Sequence, residues 1–355
     1  MNLWTNVRET LISKTVESHD TIFEAMRTRA LGPLLIAREA ERDGASIEWL
    51  SRYMFVARVE DVDILFHDSR SLDTTVAATF AGRKDLTRVL LQRSGIPVAP
   101  GGVAKSLAKV SAMQQRLNAP LVIKPKTGTK GYGISVGVQT PTELKRAFRR
   151  ANKAGGGVLV ERQMSGVEYR VLVVGGEVVG ALGKDAAHVV GDGHSTIAEL
   201  IEAKNALRAR NPHLSTRLIK VRKHIRTNLE RQQLGVESVL PEGRKVYLRQ
   251  EANFSAGGET LDVTDALPES VKALTVAAVA AIPGLELAGV DIMLDSEVPD
   301  ERPAACVLEI NTNPGIGGHH FPAVGQPRNV ARAIWRHTRA MMTARQAWRE
   351  GPRLR

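Results

Sequence analysis

The sequence predicts an α/β protein of the α+β kind whose middle is rich in antiparallel strands, and three observations carry that prediction. Short runs of apolar and β-branched residues alternate with stretches of helical period. Gly175-Gly176 stands between two such runs, "EYRVLVV" and "EVVGAL", where a two-residue hairpin turn belongs. Two Thr-x-x-Glu words, Thr140 to Glu143 and Thr196 to Glu199, each precede a helical pattern as capping boxes.

Taken in order, residues 1–80 mix helical stretches ("TIFEAMRTRALGPLLIAREAERDG") with short strands ("YMFVARV", "DILFH"). "KDLTRVLLQ" is helical, and "SGIPVAPG" ends it with a glycine and two prolines. "PLVIKP" and "GISVGV" read as strands, and "TPTELKRAFRRA" as a helix with Pro141 at its first position. "GVLVE" precedes the hairpin, and "IAELIEAKNAL" follows the second capping box. A strand near "KVYLR", a helix at 268–281, and the strands "LAGVDIML" and "ACVLEIN" complete the pattern. There is no long repeat and no low-complexity segment.

A chain of 355 residues, 43% hydrophobic and 25% charged, can bury a substantial core in two or three subdomains. No run of about 18 apolar residues occurs, and "MNLWTNVRETLISK" lacks the apolar centre of a signal peptide. With Cys306 as the single cysteine, neither an intrachain disulfide nor a cysteine metal cluster can form. A cytoplasmic protein is expected.

The net charge of +11 admits nucleic acid, a membrane surface or a small anion as partner. Aromatic residues at 4% and the lack of a recognition motif argue against nucleic acid. One basic excess spans 204–231, with Arg208, Arg210, Arg217, Lys220, Arg222, Lys223 and Arg226; another begins at Arg328 and holds eight arginines against Glu350. The tail reads as a solvated helix face. The 204–231 run lies between candidate site segments and is open to either reading.

The glycine loop "IKPKTGTKGYGIS" fits neither the P-loop nor the dinucleotide fingerprint, because Gly128, Gly131 and Gly133 give GxxGxG between two strands. Such a hairpin either is an ordinary mobile turn or folds its amides over phosphate. Lys124 just before it, and Lys84 ahead of a helix, add cations and favour a nucleotide. "VLVERQMSGVE" offers Glu161 at a strand end and Glu168 after a turn; one could bind ribose hydroxyls, or both could be solvated. Asp291 lies among apolar residues, which disfavours a carboxylate unless it is paired or metal-bound. Glu309 and Asn311, two apart, share one face of the next strand. Two carboxylates and an amide there make a hard-oxygen set suited to Mg²⁺, or Mn²⁺ in its place.

The order Lys84, Lys124, glycine loop, "ERQMSGVE", Asp291, "EINTNPG" resembles the ATP-grasp superfamily. The stretch from about 83 to 335 is similar to the ATP-grasp half of cyanophycin synthetase and of bifunctional glutathione synthetases. The words "KDLTRVLLQRSGIPVAPG", "EYRVLVVGGEVVGAL", "AHVVGDGHSTIAELI", "LRQEANFSAGGETLDVTD" and "GQPRNVARAI" carry that closer likeness. The resemblance implies an ATP-grasp fold, two α/β subdomains gripping ATP. An N-terminal α/β domain over 1–82 precedes it; 1–80 carries no likeness of its own. The ATP-grasp domain covers 83–340, with a nucleotide-lid subdomain at about 115–175 and a metal and substrate subdomain at 176–340, and a basic tail covers 341–355.

Position by position, the resemblance puts Lys84 and Lys124 on the ATP phosphates and Gly128, Thr129, Lys130, Gly131 and Gly133 in the closing loop. It puts Glu161 and Met164 at adenine, Glu168 at the ribose, and Asp291, Glu309 and Asn311 on Mg²⁺. Where some relatives carry an arginine two residues before the aspartate, this chain has Gly289, so Arg249 takes the oxyanion-stabilising role. Arg170 is a second cation for the cleft, or a surface salt bridge. Asn253, Ser255 and Gly257 would bind the acceptor or its acyl phosphate. His319 and His320 stand where relatives have a methionine–histidine type pair. Neighbours in a strand point apart, so they touch substrate or pack, instead of forming a metal site.

The implied activity is carboxylate–amine ligation of amino acids or short peptides through an acyl phosphate, releasing ADP and phosphate. The second ligase module of cyanophycin synthetase is not matched, so a stand-alone ligase is expected. No nucleic-acid or membrane partner is expected, and homo-oligomerisation is left open. A non-catalytic ATP-binding regulator is the alternative, although it has little need of Asp291, Glu309, Asn311 and Arg249 together.

Overall fold

Both Thr-x-x-Glu words cap helices as expected. The Thr140 hydroxyl accepts from the Glu143 amide, and the Glu143 carboxylate accepts from the Thr140 amide, so two orphan donors of the first turn are satisfied. Thr196 and Glu199 repeat the exchange. The structure, a computed structural model, describes residues 19–128, 131–249, 257–295 and 305–350.

The chain divides into two compact units, each discontinuous in sequence. The first combines Leu72–Val178 with Leu267–Pro314. It holds helices α3 (Thr75–Ala81), α4 (Lys84–Arg93), α5 (Leu107–Leu117), α6 (Pro141–Ala154) and α9 (Glu269–Ala280). Its strands are β4 (Gly101–Ala104), β5 (Leu121–Pro125), β6 (Ser135–Val138), β7 (Val158–Arg162), β8 (Val167–Val174), β13 (Leu287–Leu294) and β14 (Ala305–Asn311). Strands β4, β7, β5 and β6 form an antiparallel sheet in that order. Val110 and Met113 from α5 and Leu144, Ala147 and Ala151 from α6 pack on its inward residues Leu121, Ile123, Val158 and Val160. Strand β13 runs antiparallel between β8 and β14. Asp291 therefore faces Arg170 on one side and Glu309 on the other, with a register shift just after it. Val307 N–H donates to Pro97 C=O at 2.9 Å, tying β14 to the segment after α4.

The second unit combines the described parts of Asn2–Ser71, Val179–Ala266 and Gly315–Arg355. Strands β1 (Ser46–Trp49), β2 (Met54–Val59) and β3 (Val62–His67) form an antiparallel sheet beside α1 (His19–Met26) and α2 (Leu31–Arg42). The long helix α11 (Val330–Glu350) packs on α2 and β3. Trp335, fully buried, anchors it by donating from Nε1 to Asp43 Oδ2 at 2.9 Å. That packing groups residues near the two ends of the chain, whereas the sequence-derived boundaries follow composition along it. Strand β9 (Glu177–Asp185) pairs with β12 (Glu259–Asp262), and β10 (His188–Val190) with β11 (Lys245–Tyr247). Helices α7 (Ile197–Ala209), α8 (Lys223–Arg231) and α10 (Gly317–His320) complete the unit. Among the described residues, no helix is long and apolar enough to cross a membrane.

Candidate nucleotide and metal site

Helix α4 turns an unusual stripe inward. Its buried positions are Lys84, Thr87, Arg88 and Leu91, the i, i+3, i+4, i+7 spacing of one helix face, while Val89 is 42% exposed. Two cations on a buried face need anions, and the first unit supplies them. Lys84 Nζ donates to Glu309 Oε1 at 2.9 Å and to Gly128 C=O at 3.0 Å. Arg88 Nη1 meets Glu161 Oε1 at 3.2 Å, and its guanidinium also donates to the carbonyls of Ala99 and Gly101. Lys124 Nζ lies 2.7 Å from Glu161 Oε2 and 3.3 Å from Leu308 C=O.

These residues surround a cavity lined by Ala81, Lys84, Thr87, Arg88, Leu91, Val98, Leu159, Glu161 and residues 307–310. Its volume is about 20 Å³, and its wall mixes apolar side chains with Thr87 and the charged groups of Lys84, Arg88, Glu161 and Glu309. Lys84, Glu161 and Glu309 were singled out from sequence. Arg88 was not, and its signal was the placement of a second cation one turn beyond Lys84. Lys124 is buried against Glu161 instead of lining this cavity. The Glu161 carboxylate, expected near adenine, is taken up by Lys124 and Arg88.

The second cluster sits on β8, β13 and β14. Arg170 grips Asp291 with two bonds, Nε to Oδ1 at 2.8 Å and Nη2 to Oδ2 at 2.7 Å. Burial alone would disfavour the guanidinium charge. Asp291, with Glu309 and Glu168 nearby, more than offsets this and holds Arg170 above its ordinary value. Asn311 Nδ2 donates to Asp291 Oδ2 at 3.2 Å. The apolar setting of Asp291 is thus answered by a bidentate arginine, the pairing its sequence context required. Gly289 is where Pro314 packs against β13: a Cβ there would stand 2.8 Å from Pro314 Cβ, and in ordinary contact with Arg170 Cδ at 3.5 Å.

The donor set suits a hard divalent cation. Asp291 and Glu309 are direct cross-strand neighbours, and Asn311, two residues on, reaches the same carboxylate. Among the described residues no group of three or more His, Cys, Asp or Glu is placed to hold a metal ion, so two acids and an amide are the arrangement present. Asn311 donates its amide N–H₂ here, and metal ligation requires the amide to present Oδ1 instead.

The glycine loop is stapled at its stem. Lys84 N–H donates to Lys126 C=O at 3.0 Å, and Lys126 Nζ reaches Asp85 Oδ2 at 3.1 Å. Burial alone would raise Asp85, yet Arg83 and Lys126 hold it below the usual carboxylate range. Gly128, Gly131 and Gly133 have φ of 116°, 73° and 82°, and a Cβ on Gly133 would come within 2.5 Å of Ala154 Cβ. Thr129 and Lys130 lie outside the described residues. Met164 is half-buried between β7 and β8, and Glu168 faces Met293 across β8 and β13.

Four further candidates, Arg249, Gly257, His319 and His320, fall in the second unit. Arg249, just after β11, hydrogen-bonds His224 of α8. Gly257 adopts φ 93°, and Asn253 and Ser255 lie outside the described residues. The extended chain expected at His319-His320 is instead the short helix α10, and both rings are buried. His320 Nε2 accepts from Ala331 N–H at 3.1 Å, so the ring is neutral, and burial pushes its pKa down to about 3. Part of the basic run is internal: Lys204 pairs with Glu259, and Arg208, fully buried, donates to the carbonyls of Arg217 and Gly258. Lys220, Arg222, Lys223 and Arg226 are exposed, as a solvated face requires.

Residues 90–194 match the family described as D-ala D-ala ligase C-terminus. Cyanophycin synthetase of Trichormus variabilis is 35% identical over 318 residues, covering 87% of this chain and 35% of that protein. The glutathione biosynthesis bifunctional protein GshAB of Clostridium perfringens is 32% identical over 270 residues, covering 74% of this chain and 35% of that protein. The crystal structure of a bifunctional glutathione synthetase from Pasteurella multocida matches with a TM-score of 0.68 at 26% identity, over 90% of this chain and 44% of that one. The chain is an ATP-grasp protein. It is homologous to the cyanophycin synthetases and the GshAB proteins, and spans 35% of the length of these two curated relatives. The Trichormus match is longer than 83–335, so the likeness of this ATP-grasp chain also takes in part of 1–82, which the sequence words had left without a relative.

Proposed function

We propose that this chain is an ATP- and Mg²⁺-dependent carboxylate–amine ligase acting on amino acids or short peptides. The γ-phosphate of ATP passes to a substrate carboxylate, and an amine then displaces phosphate from the acyl phosphate, giving an amide, ADP and phosphate. The supporting observation is the set of cross-paired charges in the first unit: Lys84 with Glu309, and Arg170 with Asp291 and Asn311. Bound there, Mg²⁺, or Mn²⁺ in its place, would neutralise phosphoryl oxygens.

In this reading Lys84 binds phosphate oxygens directly. Lys124, oriented by Glu161, adds positive potential. Gly128, Thr129, Lys130, Gly131 and Gly133 shield the phosphates from water. Met164 stands at the adenine and Glu168 on the ribose. Asp291, Glu309 and Asn311 ligate the metal. Arg170 and Arg249 stabilise charge developing on the acyl phosphate and on the tetrahedral oxyanion. Asn253, Ser255 and Gly257 hold the acceptor. His319 and His320, being buried, support the substrate region by packing. An enzyme using ATP and free amino acids belongs in the cytoplasm.

The test is a screen of amino acids in pairs with ATP and Mg²⁺, reading phosphate release and product mass. Phosphate release that depends on both a carboxylate and an amine, lost in Asp291→Asn and Glu309→Gln, is expected. ATP binding without turnover on any pair would instead make the chain a nucleotide-binding regulator.

A further inference from the structure

Lys84 and Glu309 are claimed by different ligands in the proposed ligase, a phosphate and a divalent cation, yet here they hold each other. Lys84 Nζ is 2.9 Å from Glu309 Oε1, with the two side chains 8% and 26% exposed. The same ammonium donates to Gly128 C=O at 3.0 Å, so two of its three donors are in use. One strand over, Arg170 and Asp291 form a second pair of the same kind.

The consequence is an exchange of partners. If a triphosphate binds alone, Lys84 either stays shared with Glu309 or leaves a part-buried carboxylate beside like charge. If a cation binds Glu309 alone, the buried ammonium of Lys84 loses its anion and faces a second positive charge. Removing one member of a buried pair leaves the other uncompensated. When both ligands bind, phosphate replaces Glu309 for Lys84, the cation replaces Lys84 for Glu309, and no charge is left alone.

We propose that the Lys84–Glu309 ion pair couples nucleotide binding to metal binding, so that each ligand removes the barrier to the other. This rests on the ATP and Mg²⁺ reading above and adds a role to both residues: each masks the other until both ligands are present. Linkage requires the coupling to be equal from either side.

The coupling is measured by calorimetry on the full chain, using a non-hydrolysable ATP analogue with Mg²⁺ or with EDTA, and Mn²⁺ with or without the analogue. For wild type, Mg²⁺ is expected to tighten analogue binding by a factor within the usual allosteric range, about 5- to 150-fold. Glu309→Gln keeps the shape of the side chain but removes the charge that holds Lys84. It is expected to bind the analogue in EDTA several-fold more tightly than wild type and to gain little from Mg²⁺. Lys84→Gln releases Glu309 and is expected to bind Mn²⁺ alone more tightly than wild type, with little further gain from the analogue. Circular dichroism checks that each variant folds, and either variant decides the matter alone. Wild type that binds the analogue with Mg²⁺, beside a Glu309→Gln protein no tighter in EDTA, overturns the coupling and leaves the ligase reading standing. A wild-type ratio near one overturns it without any variant. Wild type that binds the analogue under neither condition overturns the nucleotide reading itself.

Discussion

Lys124 Nζ lies 2.7 Å from Glu161 Oε2, and both side chains are buried. Arg88 holds the other carboxylate oxygen, so one acid is shared by two cations from α4 and β5. Arg88→Met leaves Glu161 to Lys124 alone and strips the donors from the carbonyls of Ala99 and Gly101. Glu161 keeps its charge partner, so the cost is that of leaving buried acceptors unsatisfied, about 1–3 kcal/mol, which urea unfolding can read. Adding Glu161→Gln to Arg88→Met should cost less than the two single changes summed, since the residues share one network.

Gly289 leaves room for Pro314. A Cβ at this position would stand 2.8 Å from Pro314 Cβ, too close for either to stay in place, while its 3.5 Å from Arg170 Cδ is ordinary contact. Gly289→Ala is expected to destabilise by about 1–3 kcal/mol as overpacking, and to leave the Arg170–Asp291 pair in place, so that turnover falls no further than the lost stability explains. Thermal melts beside turnover rates separate the two effects.

Lys126 lies in the glycine-loop word, and its ammonium is engaged by Asp85 at 3.1 Å. Lys126→Ala is therefore expected to cost stability of about 1 kcal/mol, since Arg83 keeps its hold on Asp85, and to leave the KM for ATP nearly unchanged. Lys84→Ala should raise that KM strongly. A large KM effect at Lys126 would place its ammonium on the nucleotide after all.

Three histidines of the second unit resist protonation. Burial, then Arg42, brings His320 down to about 3; burial, then Arg217, His319 and Arg208, holds His213 well below its ordinary value; and burial, then Lys204, lowers His188. Unfolded, each takes a proton near about pH 6.5, which the folded chain refuses. Between the unfolded and folded values the unfolded state binds more protons, so stability falls as pH drops below about 6.5. The urea midpoint should fall from about pH 7 to about pH 5, and His320→Gln should flatten that slope by about one proton. An unchanged slope would mean that His320 is not the neutral acceptor of the Ala331 amide.

Much of this architecture can be read from local pattern. The Thr140 and Thr196 boxes, the apolar strand around Asp291 and the Glu309–Asn311 spacing each depend on residues a few positions apart. Strand β4 escapes such reading because its four residues begin with two glycines. The docking of α11 on α2 depends on partners nearly 300 residues apart in sequence, Trp335 and Asp43. The need of Asp291 for a partner was legible, and Arg170 was already marked, but the pairing of one with the other is a matter of strand register. Lys126 and Arg88 show the same limit: composition marks a cation, and only packing says which acid owns it.

Helix α4 carries a consequence for engineering. Its inward stripe of Lys84, Thr87, Arg88 and Leu91 departs from what a stable amphipathic helix would choose, so the element is locally frustrated and its buried cations depend on their acids. Consensus repair or selection for heat resistance would favour apolar residues at 84 and 88, filling the cavity with a tighter core. A thermostable descendant obtained that way would be well folded and have no site.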